Sequence, residues 1–127
     1  MSPVVLDTSA ILALLQQEPG AGLVLGLTGD ALISAVNAAE VLTKLVRDGI
    51  DLADARSDLE GCVQAIVDFD AEQGATAAGL IRHTQPLGLS LGDRACLALG
   101  LRMGCPVYTA DRVWAQLQVG VDVRLIR

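Results

Sequence analysis

Short apolar runs alternate along the whole chain with segments that carry helix signals, and this alternation restricts the fold more than any other feature. Pro3 to Leu6, Ala31 to Ile33, Ala65 to Phe69, Val107 to Thr109 and Val121 to Ile126 read as brief strands, too short for buried helices. Between them, helices are expected at Ala10 to Leu15, weakly over 21–29, at Ala38 to Arg47, from Leu52 on, at Ala71 to Arg82, at Arg94 to Met103 and at Arg112 to Leu117. Glu18-Pro19-Gly20 and Asp48-Gly49 supply stops, and Asp51 is a good N-cap for the helix that places Leu52, Ala55, Leu59 and Val63 on one face. His83 to Ser90, with Pro86 and Gly88, reads as a loop. The pattern predicts an α/β chain with a mostly parallel sheet of about five strands covered by helices on both faces. A single domain over residues 1–127 is expected, long enough to bury a core without disulfides or a structural metal.

Four of the junctions in this pattern carry an acid: Asp7 in VVLDTSA, Glu40 in ISAVNAAEV, Asp93 in LSLGDRACLALG and Asp111 in VYTADRVW. Each alone is explained by helix capping. Asp7 and Asp111 suit N-caps, and Ser90-x-x-Asp93 and Asn37-x-x-Glu40 match or approach capping-box spacing. Together they mean more, because open α/β sheets bind ligands beyond the carboxyl ends of their strands, near a switch in strand order. Asp7 and Asp111 end or follow strands, and Glu40 and Asp93 are placed in first helical turns along the same edge.

Four carboxylates in one crevice repel unless cations lie between them or some stay protonated. Without neighbouring His or Cys they suit hard, oxygen-preferring cations such as Mg²⁺ or Mn²⁺, and paired ions of this kind support phosphodiester cleavage. Thr8, Ser9 and Thr109 flank the acids and can orient water there, with local capping as the competing role. Arg94 and Arg112 each follow one of the acids and can steer phosphate, with an ordinary surface ion pair as the alternative.

Composition narrows the function classes. A net charge of -6 and a single lysine, Lys44, disfavour passive polyanion binding, although acids that hold cations can still cut nucleic acid. Phe69, Tyr108 and Trp114 are the only aromatics, so a stacking platform for single strands is lacking. His83 stands alone in the expected loop and reads as solvent-facing. The odd set Cys62, Cys96 and Cys105 fits reduced, buried thiols of a cytoplasmic protein, and no apolar run approaches the ~18 residues of a membrane span. Apolar residues make up 52% of the chain, so part of the apolar surface is expected to be covered by a partner or a second copy.

With VLDTSAILALL, SAVNAAEV, LSLGDRACLALG and VYTADRVW in this order, the chain resembles the PIN-domain ribonucleases, and among them the VapC toxins of VapBC toxin–antitoxin pairs. The resemblance spans essentially the whole chain. It implies an acidic quartet at Asp7, Glu40, Asp93 and Asp111, with Asp7 and Asp93 as first choices for direct metal ligands. It also implies Mg²⁺ or Mn²⁺, endoribonuclease activity on RNA, a homodimer and a VapB-like antitoxin. Many members carry another acid just after the last motif, whereas Arg112 and Val113 follow Asp111 here, so a second cation is expected to bind weakly or only with substrate. The competing reading is a receiver-like signalling domain with Asp70 as phosphoacceptor beside a Mg²⁺-binding acidic pocket.

Overall fold

The computed structural model describes residues 2–127. In chain order the elements are β1 (Val4–Leu6), α1 (Thr8–Leu15), α2 (Ala21–Leu25), β2 (Ala31–Ser34), α3 (Ala35–Arg47), α4 (Leu52–Glu60), β3 (Ala65–Val67), α5 (Ala71–Gly79), α6 (Ile81–Thr84), α7 (Leu91–Met103), β4 (Val107–Thr109) and β5 (Val123–Leu125). Short 3-10 turns occupy Thr28–Asp30, Gln85–Leu87 and Arg112–Gln116.

The five strands form one sheet in the order β3-β2-β1-β4-β5, and every pairing is parallel. Val5 lies between Leu32 of β2 and Val107 of β4. The chain first builds outward from β1 through β2 to β3, then returns to the other side of β1 with β4 and β5. The order of connection therefore reverses between β1 and β4, and a crevice opens at their carboxyl ends. A receiver domain has the order 2-1-3-4-5. The order found here excludes that architecture.

Side-chain alternation along these three- and four-residue strands divides the core in two. Val4, Leu6, Ala31, Ile33 and Tyr108 pack with Ile11, Val24, Val41, Leu45 and Leu59 from α1 to α4. Val5 and Val107 face the other way, onto Leu80, Leu89, Leu97, Leu99 and Trp114, with Leu32, Val67 and Val123 joining the same layer. Each fully buried aliphatic side chain stabilises the fold by roughly 1.5–3 kcal/mol. Helix α7 is buried along Ala95–Gly100, as its nearly all-apolar sequence requires. Gly100 lets it approach β4, since a methyl group there would overlap Cγ2 of Val107.

Several boundaries differ from the sequence-based expectation, each for a local reason. Helices α1, α3 and α7 start two to three residues earlier than expected because Asp7, Ser34 and Ser90 each accept a hydrogen bond from the first turn. Helix α4 stops at Glu60, so Val63 packs on the core from outside it. The expected helix Ala71 to Arg82 breaks into α5 and α6 at Leu80, which caps both. The expected loop from His83 therefore begins inside α6, where the Thr84 hydroxyl donates to the Leu80 carbonyl at 2.9 Å. All three cysteines are free and buried. Among the described residues no helix is long and apolar enough to cross a membrane.

Candidate active site

Asp7 follows β1 directly and is 4% exposed. It caps α1, accepting from the Ala10 amide at 2.8 Å. Two hydroxyls complete its shell. Ser9 Oγ lies 2.7 Å from Oδ1, and Thr109 Oγ1, from the end of β4, donates to Oδ2 at 2.6 Å. Ser9 also accepts from the Ala110 amide at 2.9 Å. The carboxyl ends of the two strands at the switch are thus stitched together through one buried carboxylate. Burial pushes the Asp7 carboxyl up to about 6, against the Thr109, Ser9 and Ala10 donors, and the charge of Asp93 adds to the rise.

Asp93 sits in the first turn of α7 and forms a full capping box with Ser90, accepting from the Ser90 amide at 2.8 Å while the Ser90 hydroxyl accepts from the Asp93 amide at 3.2 Å. The carboxyl of this half-buried residue is also raised, first by burial and then by repulsion from Glu40 and Asp111, against the bonds from Ser90. Asp111 caps the 3-10 turn after β4, accepting from the Val113 amide at 3.1 Å, and its own amide donates to Thr109 Oγ1 at 3.0 Å. Glu40 lies in the second turn of α3, one turn later than the sequence suggested, because α3 starts at Ala35. Its carboxylate accepts from Thr8 Oγ1 at 2.6 Å.

Asp93 links the four acids electrostatically: it feels the charges of Glu40 and Asp111, and Asp7 in turn feels the charge of Asp93. Among the described residues no Lys or Arg forms an ion pair with any of them. Nor are any three His, Cys, Asp or Glu side chains among the described residues grouped closely enough, as they stand, to hold a metal ion by themselves. An open set of oxygen donors without a basic counter-charge fits Mg²⁺ or Mn²⁺ chemistry. Mg²⁺ keeps much of its water and takes one or two carboxylates plus substrate phosphate, in contrast to the full cages of Ca²⁺. Cys96 lies fully buried near Asp7, Asp93 and Glu40, and burial first, then their charges, keep its thiol protonated. It offers no soft ligand.

Among the remaining expected site residues, Thr8, Ser9 and Thr109 hold the acids themselves, a closer involvement than local capping. Arg94 is half-buried and turns to the backbone of α5, donating from Nη1 to the Ala77 carbonyl at 3.1 Å. Arg112 is exposed beside Asp111. His83 is exposed on α6. Asp70 caps α5 and pairs with Arg102 at 3.0 Å; the Gln73 amide first, and then the Arg102 guanidinium, hold its carboxyl low. Asn37 was noticed in the sequence only for its spacing to Glu40. It is 1% exposed, and its Nδ2 lies 3.1 Å from Glu40 Oε1, 3.2 Å from Thr8 Oγ1 and 3.0 Å from the Gly92 carbonyl. An amide inside the apolar VNAAEV run was the available signal.

A parallel α/β fold with carboxylates placed around its strand-order switch defines the class: an open α/β domain whose ligand crevice lies beyond the carboxyl ends of its strands. The PIN domain model matches residues 4–119, and the chain belongs to the PIN domain family. No curated protein matches it. Among solved structures it is similar to a chain of a toxin–antitoxin complex from Klebsiella pneumoniae, 18% identical over 98% of each chain with a TM-score of 0.75. It is also similar to a chain of DNA-bound VapBC from Salmonella typhimurium, 17% identical over 100% of each with a TM-score of 0.73. A chain of FitAcB from Neisseria gonorrhoeae is 21% identical, covering 94% of this chain and 95% of that one, with a TM-score of 0.69. At these identities the likeness is one of fold.

Proposed function

We propose that the chain is a metal-dependent endoribonuclease of the VapC type, the toxin of a toxin–antitoxin pair, acting inside the cell. The observation that supports this reading best is the convergence on Asp93 of charge from Glu40 and Asp111, with Asp93 acting in turn on Asp7 at the β1–β4 switch, and no ion pair to any of the four among the described residues. Mg²⁺ or Mn²⁺, held by Asp7 and Asp93 with Glu40 and Asp111 completing the set directly or through water, would supply positive charge to the phosphodiester and acidify water.

The chain's own residues provide the frame for this chemistry. Ser9 and Thr109 fix both oxygens of Asp7, Ser90 orients Asp93, and Thr8 and Asn37 orient Glu40. Asp111 lies at the exposed rim, where an attacking water can be positioned. Arg112 next to it is placed to meet the RNA backbone.

The partners follow from surface and kinship. Val46 and Leu52 leave apolar surface exposed on α3 and α4, and a cavity of about 410 Å³ runs along α3 from Val36 past Glu40 to Arg47. A VapB-like antitoxin laid across α3 and α4 would cover this surface and reach the acids, and a second copy of the chain would cover other exposed apolar positions such as Leu25. The test is RNA cleavage by purified protein. Cleavage should stop in EDTA, return with Mn²⁺ or Mg²⁺ but not specifically with Zn²⁺, and be absent in Asp93→Asn. Full cleavage by that variant, or in chelator, would refute the proposal.

A further inference from the structure

The Asn37 side chain touches three groups that belong to different parts of the site. Its amide nitrogen has two hydrogens and three acceptors within reach: Glu40 Oε1 on its own helix, Thr8 Oγ1 at the start of α1, and the Gly92 carbonyl in the first turn of α7. The Thr8 hydroxyl donates in turn to Glu40, so amide and hydroxyl converge on one carboxylate oxygen. Asn37 Oδ1 is buried without a partner. Turning the amide over would point that oxygen at three acceptors, so the nitrogen's contacts fix the orientation. A buried orphan carbonyl is tolerated only where the other end of the group is strongly engaged.

Gly92 closes the opposite side. A methyl group built on its Cα would overlap both oxygens of Glu40, with Oε1 at 2.6 Å, so the carboxylate rests on bare helix backbone. The next residue is Asp93, whose carboxyl feels the charge of Glu40. Left unrestrained, two like-charged carboxylates in the first two turns of different helices would swing apart into solvent.

We infer that Asn37 is the positioning residue of the acidic site, seating the Glu40 carboxylate against Gly92 and locking α3 to α7 so that Glu40 and Asp93 face one ligand. The inference rests on the proposed cation-dependent activity for its consequence, but its geometric content does not. Groups that orient metal ligands typically govern about 10–100-fold in metal affinity.

Two readouts on the whole chain test it. Mn²⁺ affinity, followed by the loss of the free-ion electron paramagnetic resonance signal, should fall about tenfold or more in Asn37→Ala. Because Asn37 acts through Glu40, the same change in a Glu40→Gln background should cost less than about twofold. An equal cost in both backgrounds overturns the inference. The crystal structure of Asn37→Ala should show the Glu40 carboxylate displaced from Gly92, and a carboxylate still seated there overturns it whatever the Mn²⁺ result. Gly92→Ala, which leaves the amide intact and pushes the same carboxylate from the other side, should reproduce the affinity loss; unchanged affinity counts against the inference. Wild-type protein that binds no Mn²⁺ would bring down the metal-dependent reading, while the crystallographic arm still decides the role of Asn37.

Discussion

Replacing Asp7 by Asn should stabilise the protein, and the gain should depend on pH in a way that burial dictates. The carboxyl titrates near 6 in the fold against 3.8 for a free aspartate, chiefly because it is cut off from water. As pH rises, the unfolded chain releases this proton first and the native chain retains it until about pH 6. Folding stability therefore falls through that window and is level above it. The difference is worth about 3 kcal/mol, at about 1.4 kcal/mol per pH unit. Asn accepts the Ser9 and Ala10 bonds less strongly than a carboxylate and takes away the acceptor of the Thr109 hydroxyl, which offsets about 1–2 kcal/mol and leaves a net gain of about 1–2 kcal/mol at pH 7. With an unfolding entropy of about 2.1 cal/mol/K per residue, that corresponds to about 4–7 °C in Tm. The assay is thermal unfolding by circular dichroism in chelator at pH 4, 5, 6 and 7, on both proteins. The gap should open between pH 4 and 6 and hold at 7. A constant gap, or an Asp7→Asn protein less stable than wild type at pH 7, would refute the burial argument. The same variant should lose cleavage, so that stability and activity trade against each other at one carboxylate.

Two further perturbations probe the fold and the discarded signalling reading. Gly100→Ala should cost a net 1–2 kcal/mol or so in denaturant unfolding, because overlap with Val107 exceeds the ~1 kcal/mol that alanine adds in a helix; a more stable variant would show that the α7–β4 contact yields freely. Asp70→Asn should leave RNA cleavage unchanged, and intact-mass measurement after treatment with a small phosphodonor should show no acyl phosphate on the wild type, since Asp70 is committed to Arg102 and the α5 cap.

Much of the architecture was legible because it follows from local patterns. The strand VVL ends at an acid followed by hydroxyls, and the short apolar runs at Ala31 and Val107 are bounded by polar or glycine-containing segments, so strand positions and the helical alternation could be read along the chain. The Ser90–Asp93 capping box is likewise a local spacing. What was hidden depends on docking. The Asn37 amide gains its meaning only when α7 brings the Gly92 carbonyl to it, and Thr109 reaches Asp7 only because β4 lies beside β1. Arg94 follows an acid in sequence yet turns to Ala77, since a helix sends neighbouring side chains to different sides. The break at Leu80 leaves no mark in the sequence, because an alanine-rich stretch satisfies helix propensity whether or not the helix continues.

The indole of Trp114 lies fully enclosed within the same five-residue turn that Asp111 caps. It is the molecule's sole tryptophan, so its emission comes from one known place. The capping carboxylate of Asp111 lies three residues ahead of the indole and accepts from the Val113 amide directly before it. Its fluorescence therefore reports the packing of this one turn, readable without labels or added dyes.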